Sequence, residues 1–331
     1  MASISVQAHG SQSGPLRSMN ILRDLPQVAD LIELCFSSTM DEDGQSFLQE
    51  MRRASRDNNF LRWAGQVLDS ASLPLAGFVW EEDGRIIGNA SIVPQNYKGK
   101  KILLVANIAT HPDFRRRGIG RALTERALQH ARQRGAREIW LHVRDDNPTA
   151  IKIYTDLGFV ERARRTIYYS HSDALLASNL SVEGNPPNMV TIGRPNIRDW
   201  PLQREWLKLA HPTELSWYSH WDWDALGPGL WNYLRRSFVE FEVRQWAATQ
   251  DGKLLAIVSW MPSMRASNML WVAAKPAGDP SGLRYALEAA RRGLFNYRKL
   301  AVEYPAGEMV DAIQSAGFSP FRTLIWMRAT S

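Results

Sequence analysis

Two stretches of this chain repeat one another at a fixed interval. Leu141-His142-Val143 is followed by Leu157-Gly158-Phe159, and Leu300-Ala301-Val302 is followed at the same distance by Ala316-Gly317-Phe318. Upstream of each pair lies an alternating hairpin. In the first half it is Phe78–Trp80, a turn at Asp83-Gly84, and Ile86–Ile92; in the second it is Arg244–Thr249, Asp251-Gly252 and Lys253–Trp260. Apolar residues at every second position specify half-buried strands, and an Asp-Gly pair between them specifies a tight turn. A further strand follows each hairpin, Ile102–Thr110 or Met269–Ala274. A chain with this internal period is expected to build one α+β unit twice, not two unrelated domains. Its 331 residues suffice for two such cores.

Around this period the first half reads as a short strand at Leu16–Asn20 and a helix from Pro26 to Phe36. That helix places Val28, Leu31, Ile32 and Cys35 on one face. Weaker helical patterns run through Phe47–Met51 and Leu61–Leu68. Then come a helix over Gly120–Gly135, a strand over Glu138–Arg144, a helix over Pro148–Leu157 and a closing strand over Val160–Tyr169. The Ser-, Asn- and Gly-containing stretch Ser170–Asn188, with its Pro-Pro pair, reads as a linker. The expected layout is a disordered N-terminus over 1–14, a first domain over 15–170, a linker over 171–189 and a second domain over 190–331.

Composition removes several classes of function. Cys35 is the single cysteine, which excludes an intramolecular disulfide framework and a cysteine-rich zinc site. No metal is expected, and Cys35 itself reads as a small core residue. No apolar run reaches about 18 residues, and the Ser- and Gln-rich start lacks a signal-peptide core. A cytoplasmic protein without a membrane partner is the expectation. The formal charge is +6, from 40 Lys+Arg against 34 Asp+Glu, but it is spread along the chain. Its one tight cluster, Arg115-Arg116-Arg117 with Arg121, sits among glycines, which suits a small polyanion better than a nucleic acid.

That cluster belongs to the segment that carries chemistry, Asn107-Ile108-Ala109-Thr110-His111-Pro112 followed by Arg115-Arg116-Arg117-Gly118-Ile119-Gly120-Arg121. A strand enters a turn with two glycines one residue apart, and a helix begins at once. Unpaired N–H groups and the positive dipole end of a helix N-terminus favour a bound phosphate. Glycines let the backbone approach it, and arginines add complementary charge. The competing reading is a Gly-rich turn with solvated arginines, and His111 reads as a turn residue. Further on, Asn147-Pro148 is a good N-cap and N1 pair, and Gly158 a good C′ residue. Asn147 is then either a cap alone or a ligand contact, and Tyr154 either a packed helix residue or a proton donor.

Taken together, Arg115-x-x-Gly118-x-Gly120 and the Asn147…Tyr154…Gly158-Phe159 run resemble the GNAT superfamily of N-acetyltransferases, and within it the ribosomal-protein alanine N-acetyltransferase type. The resemblance is strong over 100–160 and extends over 15–170. It implies two tandem GNAT-fold domains, each a mixed, mostly antiparallel sheet flanked by helices. It further implies acetyl-CoA as co-substrate: the Ile108, Ala109 and Thr110 backbone along the pantetheine arm, and Arg115, Arg116, Arg117, Gly118, Ile119, Gly120 and Arg121 around the pyrophosphate. Asn147 would contact the cofactor, and Tyr154 would be the general acid beside the thioester sulfur. A phenol with reference pKa of about 10 can protonate a departing thiolate without ionising at pH 7.

One position departs from that type. Its strand carries a glutamate as the proposed base, where this chain has His142. The imidazole either takes the amine's proton, which would give an acidic limb near pH 6.5, or is a hydrogen-bonded sheet residue. The second half lacks the site altogether. Ile313 and Ala306 fall on Tyr154 and Asn147, Asp279 and Arg284 fall on Arg115 and Gly120, and the helix after the loop reads about five residues shorter. That half is expected to be a degenerate GNAT domain. It holds ten of the thirteen tryptophans, among them Trp217, Trp221, Trp223 and Trp231, which either pack a core or hold a cationic amine. Tandem architecture resembles mycothiol synthases, but their competent half is the C-terminal one, so that activity does not carry over. The expected activity is acetyl transfer to a primary amine of a small molecule. The alternatives are protein N-terminal acetylation, with a peptide N-terminus as acceptor, and a non-catalytic acyl-CoA sensor. Oligomeric state is open.

Overall fold

The structure is a computed structural model that describes residues 15–56, 76–170, 190–219, 226–227, 242–262, 267–275, 278–295, 297 and 299–330. The expected disordered N-terminus over 1–14, the linker over 171–189, the helical pattern at Leu61–Leu68, and Trp221, Trp223 and Trp231 lie outside the described residues. The described residues fall into two compact units that interleave along the chain. One comprises residues 1–141, 152–159 and 328–331; the other comprises 142–151 and 160–327.

In the first unit, β1 (Leu16–Ser18), β2 (Ala76–Glu82), β3 (Arg85–Tyr97), β4 (Lys100–Thr110) and the first residues of β5 (Glu138–Arg144) are neighbours in that order. All pairs are antiparallel except β4 with β5. Helix α1 (Ile21–Phe36) begins at Asn20, whose side chain accepts the Leu22 N–H, so it starts five residues before the expected Pro26. The fully buried Asp24 explains the early start. It accepts the Asn20 N–H at 2.7 Å and pairs with Arg17 at 2.6 and 2.9 Å, fixing the first turn upstream of the proline. Leu25, Val28, Leu31 and Ile32 then face Leu48 and Met51 of α2 (Glu42–Arg56), with Val79 and Ile86 of the sheet beneath. Each such fully buried side chain contributes about 1.5–3 kcal/mol. Helix α3 (Ile119–Gln133) buries Ile119, Leu123, Ala127 and Leu128. Helix α4 (Pro148–Asp156) ends where Gly158, at φ +87°, reverses the chain.

The second unit orders its strands β12 (Phe318–Thr330), β6 (Val160–Ser170), β11 (Leu300–Pro305), β10 (Asn268–Ala274), β9 (Lys253–Trp260), β8 (Arg244–Gln250) and β7 (Thr191–Gly193). Its helices are α5 (Trp200–Ala210), the short α6 (Ser216–Ser219), α7 (Pro280–Gly293) and α8 (Val310–Ser315). Helix α7 packs Leu283, Ala286, Leu287 and Ala290 into a core with Trp260, Tyr304 and Phe318.

The internal period is real in three dimensions: β8–β9–β10–α7–β11–α8–β12 follows the same order as β2–β3–β4–α3–β5–α4–β6. The helix expected to be about five residues shorter is only one shorter, 14 residues against 15. The deficit falls chiefly in the loop before it, where five residues join Ala274 to Pro280 and eight join Thr110 to Ile119. β6 brings a second difference. It pairs antiparallel with β11, from Ala301↔Tyr169 to Pro305↔Arg165, so it lies between β11 and the strand that follows β11 in sequence.

Candidate functional site

Strand β4 supplies an open backbone edge. Its parallel pairing with β5 covers only Ile102↔Glu138, Leu103↔Ile139 and Leu104↔Trp140. Beyond Leu104 that edge has no strand partner among the described residues, so its N–H and C=O groups can pair with an extended ligand. On the other edge the register with β3 shifts between Asn89↔Ala109 and Ser91↔Ala106, and Asn107 takes φ +51°. This is a β-bulge, which re-aims the backbone of Ile108, Ala109 and Thr110. Fully buried Asn89 holds it, donating Nδ2 to the Asn107 carbonyl at 2.9 Å and to Ser91 Oγ at 3.1 Å. Sequence reasoning missed Asn89, because an asparagine within an alternating strand carries no mark of its partner. In the second half β9 and β10 pair without a shift, from Leu270↔Trp260 to Ala274↔Ala256.

After β4 the chain makes a turn of 3-10 helix over Pro112–Phe114, with His111 accepting the Asp113 N–H as its cap. Arg116 at φ +66° and Gly118 at φ +79° then turn the chain into α3. The α3 N-terminus has no side-chain cap and no acidic residue in its first turn. Its free N–H groups and positive dipole end are therefore available to an anion. A Cβ built on Gly118 meets nothing within 4 Å, and one on Gly120 meets only Thr110 Oγ1 at 3.6 Å. Both glycines border open space, so the first needs glycine for its left-handed backbone and the second leaves room for a ligand.

The arginines are not equivalent. Arg117 forms a two-pronged pair with Glu82 at 2.8 and 3.1 Å, and Arg121 meets Glu125 at 2.9 Å and Asp156 at 3.7 Å. Arg115 Nε reaches back to the Thr110 carbonyl at 3.4 Å. Arg116 alone of the four makes no side-chain hydrogen bond or ion pair among the described residues, and it stands beside Gly118 with its charge uncompensated. The matching helix of the second half is closed to anions. Asp279 caps α7 by accepting the Ser281 N–H at 2.8 Å, so its own carboxylate already occupies the positive end.

Helix α4 carries the other two assigned residues. Asn147 Oδ1 accepts the Ala150 N–H at 3.1 Å, so the asparagine does cap the helix. Tyr154 is 7% exposed, packs edge-on against Phe159 at 6.1 Å, and has no hydrogen bond to its hydroxyl among the described residues. Burial pushes its phenol well above the ordinary value, so it stays protonated at neutral pH. Cys35, expected to be purely a core residue, is half-buried and lies 3.4 Å from the Thr110 carbonyl.

His142 is half-buried on β5, its ring 4.9 Å from that of Trp326. Burial and then the Arg322 guanidinium lower its imidazole to about 4, against the opposing influence of Glu303. At neutral pH the ring is therefore uncharged, and the titration expected near pH 6.5 is not that of this imidazole. Of the four tryptophans singled out by sequence, Trp217 is described; it is buried and packs edge-on against Trp326 at 6.3 Å. Among the described residues no group of three His, Cys, Asp or Glu is placed to hold a metal. Nor is any described helix long and apolar enough to cross a membrane.

An open strand edge, a bulge, and an uncapped helix N-terminus entered through glycines can together hold an extended ligand that ends in an anionic group. Residues 28–159 match the model of the acetyltransferase (GNAT) family. This segment is a GNAT domain. Ribosomal protein bS18-alanine N-acetyltransferase of Salmonella typhimurium is 45% identical over 74 residues, 21% of this chain and 50% of that protein. Mycothiol acetyltransferase of Saccharomonospora viridis is 31% identical over 118 residues, 36% of this chain and 37% of that protein. The chain thus spans half or less of the length of these curated relatives. A GCN5-related N-acetyltransferase of Sphaerobacter thermophilus shares the fold over 96% of both chains, at 15% identity and a TM-score of 0.53. The fold is α+β with two tandem GNAT-fold halves, and of their described residues only the first half has the bulge and the uncapped helix.

Proposed function

We propose that this chain transfers the acetyl group of acetyl-CoA to a primary amine of a small molecule, by direct attack of the amine on the thioester. The catalytic residues all lie within 15–170, and 190–331 supply the degenerate copy. The observation that carries the reading is the α3 N-terminus, uncapped, free of acid, and entered through Gly118 and Gly120. The pyrophosphate sits there with Arg116, while Arg115, Arg117, Ile119 and Arg121 shape the loop through the contacts already described. The pantetheine arm pairs with the β4 edge at Ile108–Thr110, and Asn147, which caps α4, is the remaining cofactor contact that the family resemblance implies.

Acetyl transfer forms an N–C bond and breaks the S–C bond, with the proton of the amine leaving as the thiolate departs. Holding amine and thioester together supplies several kcal/mol. Tyr154, kept neutral by burial, gives its proton to the thiolate sulfur. His142, uncharged at pH 7, accepts the amine's proton and passes it to water, since a group near pKa 4 does not retain it.

A second reading, acetylation of a peptide N-terminus, is supported by the 45% identity to the bS18-alanine enzyme. His142 in place of that type's glutamate favours the small-molecule acceptor. A thiol-release assay with a panel of small amines and an alanine-starting peptide separates the two. Turnover with amines alone supports the proposal, turnover with the peptide alone selects the second reading, and no turnover with CoA still bound selects an acyl-CoA sensor.

A further inference from the structure

From His142 onward β5 belongs to the second unit, and its neighbour there is β12, the closing strand of the second half. Among the described residues neither ring nitrogen of His142 makes a hydrogen bond, and neither is a buried polar atom left without a partner. Both nitrogens therefore reach open space. An imidazole that handles protons is ordinarily fixed by a hydrogen bond at its second nitrogen. Here that anchor is missing, and packing takes its place.

The packing partner is Trp326 of β12, whose ring centroid lies 4.9 Å from that of the imidazole at an angle of 53°. Trp326 is itself fixed. It is 2% exposed, with the Tyr218 ring at 4.6 Å and the buried Trp217 edge-on at 6.3 Å. Its Nε1 has no hydrogen-bond partner among the described residues, so the indole contributes a ring surface and not a donor. A close-packed ring of this size leaves its neighbour few rotamers and keeps water from one side of it.

Water matters more to His142 than charge does. Burial is the first cause of its pKa of about 4, Arg322 on β12 is the second, and Glu303 on β11 opposes them. Glu303 is engaged by Arg165 at 2.5 Å, and on the β5 side Arg144 pairs with Asp146 at 2.9 Å. A neighbour that excludes water thus acts on the largest of these influences.

We propose that Trp326 is the positioning residue of His142: its ring holds the imidazole in one orientation and shields it from water. The inference rests on the reading of His142 as the base. It gives the degenerate half a part in the reaction, through the strand that it lays beside β5. Trp326 acts through the imidazole and not on the substrate.

The test compares Trp326→Phe, which keeps an aromatic ring, with Trp326→Leu and Trp326→Met, which remove it with different losses of volume. Far-UV circular dichroism and CoA titration establish that a variant is folded. The His142 imidazole is titrated by NMR in the full chain, its signal assigned by its absence in His142→Gln. In the ring-free variants its pKa is expected to rise by about one pH unit or more, while Trp326→Phe stays near the parent value. The plateau kcat is expected to fall about tenfold with KM for acetyl-CoA unchanged, and the acidic limb of kcat/KM to rise with the imidazole. An unmoved imidazole titration in a folded ring-free variant overturns the proposal, whatever kcat does. So does the absence of nuclear Overhauser contacts between the imidazole and the Trp326 indole in the unaltered chain, which needs no variant. A titration that moves while kcat/KM shows no limb following it supports Trp326 as the residue that holds His142 and overturns only the base role, so the two readings fail separately.

Discussion

The backbone N–H of Asp145, just past β5, donates to the carbonyl of Thr323 in β12 at 3.1 Å. Its counterpart one half-chain later is Ala306, just past β11, which donates to the carbonyl of Arg164 in β6 at 3.0 Å. The closing strand of each sequence half thus hydrogen-bonds the strand end of the other half. Thr166 and Thr323 join the two closing strands directly, hydroxyl to hydroxyl, at 2.8 Å.

A fragment ending at residue 170 therefore leaves Asp145 without its carbonyl acceptor and β6 without β11. Such a fragment is expected to fail to give a cooperative thermal transition by circular dichroism, and co-expression with residues 171–331 is expected to restore one. A fragment 1–170 that melts cooperatively on its own contradicts the exchange.

The duplication behind this exchange was legible in the sequence, because Gly158-Phe159 and Gly317-Phe318 recur at one spacing after similar strands. The exchange itself was not. Val160–Tyr169 reads as a strand whichever strand it lies beside, since a local pattern does not name the neighbour. The turn into α3 was equally legible, since Gly118 and Gly120 lie between a strand pattern and a helix pattern. That Arg117 is paired depends on Glu82, distant in sequence, and could not be read, whereas Arg121 with Glu125 is an ordinary i,i+4 pair.

Removing the Tyr154 hydroxyl while keeping the ring should act on the chemical step. Tyr154→Phe is expected to lower kcat by roughly 10²-fold with little change in KM for acetyl-CoA, as for a proton donated only in the transition state. Steady-state kinetics with rate-limiting chemistry checks this, and an unchanged kcat removes Tyr154 from the acid role.

His142 makes a pH prediction with a defined sign. Its folded pKa of about 4 lies below the reference of about 6.5, so between those values the unfolded state binds more protons. The stability it contributes is fully present above pH 6.5 and is lost as pH falls toward 4, amounting to at most about 3 kcal/mol. His142→Gln is expected to narrow the gap in urea-unfolding free energy between pH 7 and pH 4. His211, lowered in the same direction, keeps part of that gap in the variant. An unaltered gap would falsify the lowered pKa. In kinetics, kcat/KM should show no His142-dependent limb near pH 6.5.

Asn89 is the structural support of the bulge. Asn89→Ala removes both donors, and it is expected to cost about 1–3 kcal/mol of stability and to raise KM for acetyl-CoA about tenfold with a smaller effect on kcat. Comparison with Asn89→Ser at a temperature where all variants are folded separates the two effects. A KM equal to that of the unaltered chain would show that the Ile108–Thr110 edge does not depend on Asn89.

Calorimetric titration of the full chain with CoA tests the central claim, that one thioester site survives and lies at the N-terminus of α3. The stoichiometry should be one CoA per chain. Gly120→Glu should abolish it without unfolding the protein, because a Cβ at that position meets only Thr110 Oγ1 at an ordinary 3.6 Å, while the added carboxylate faces the phosphates. Two equivalent sites per chain, or CoA binding that persists in folded Gly120→Glu, would contradict the account.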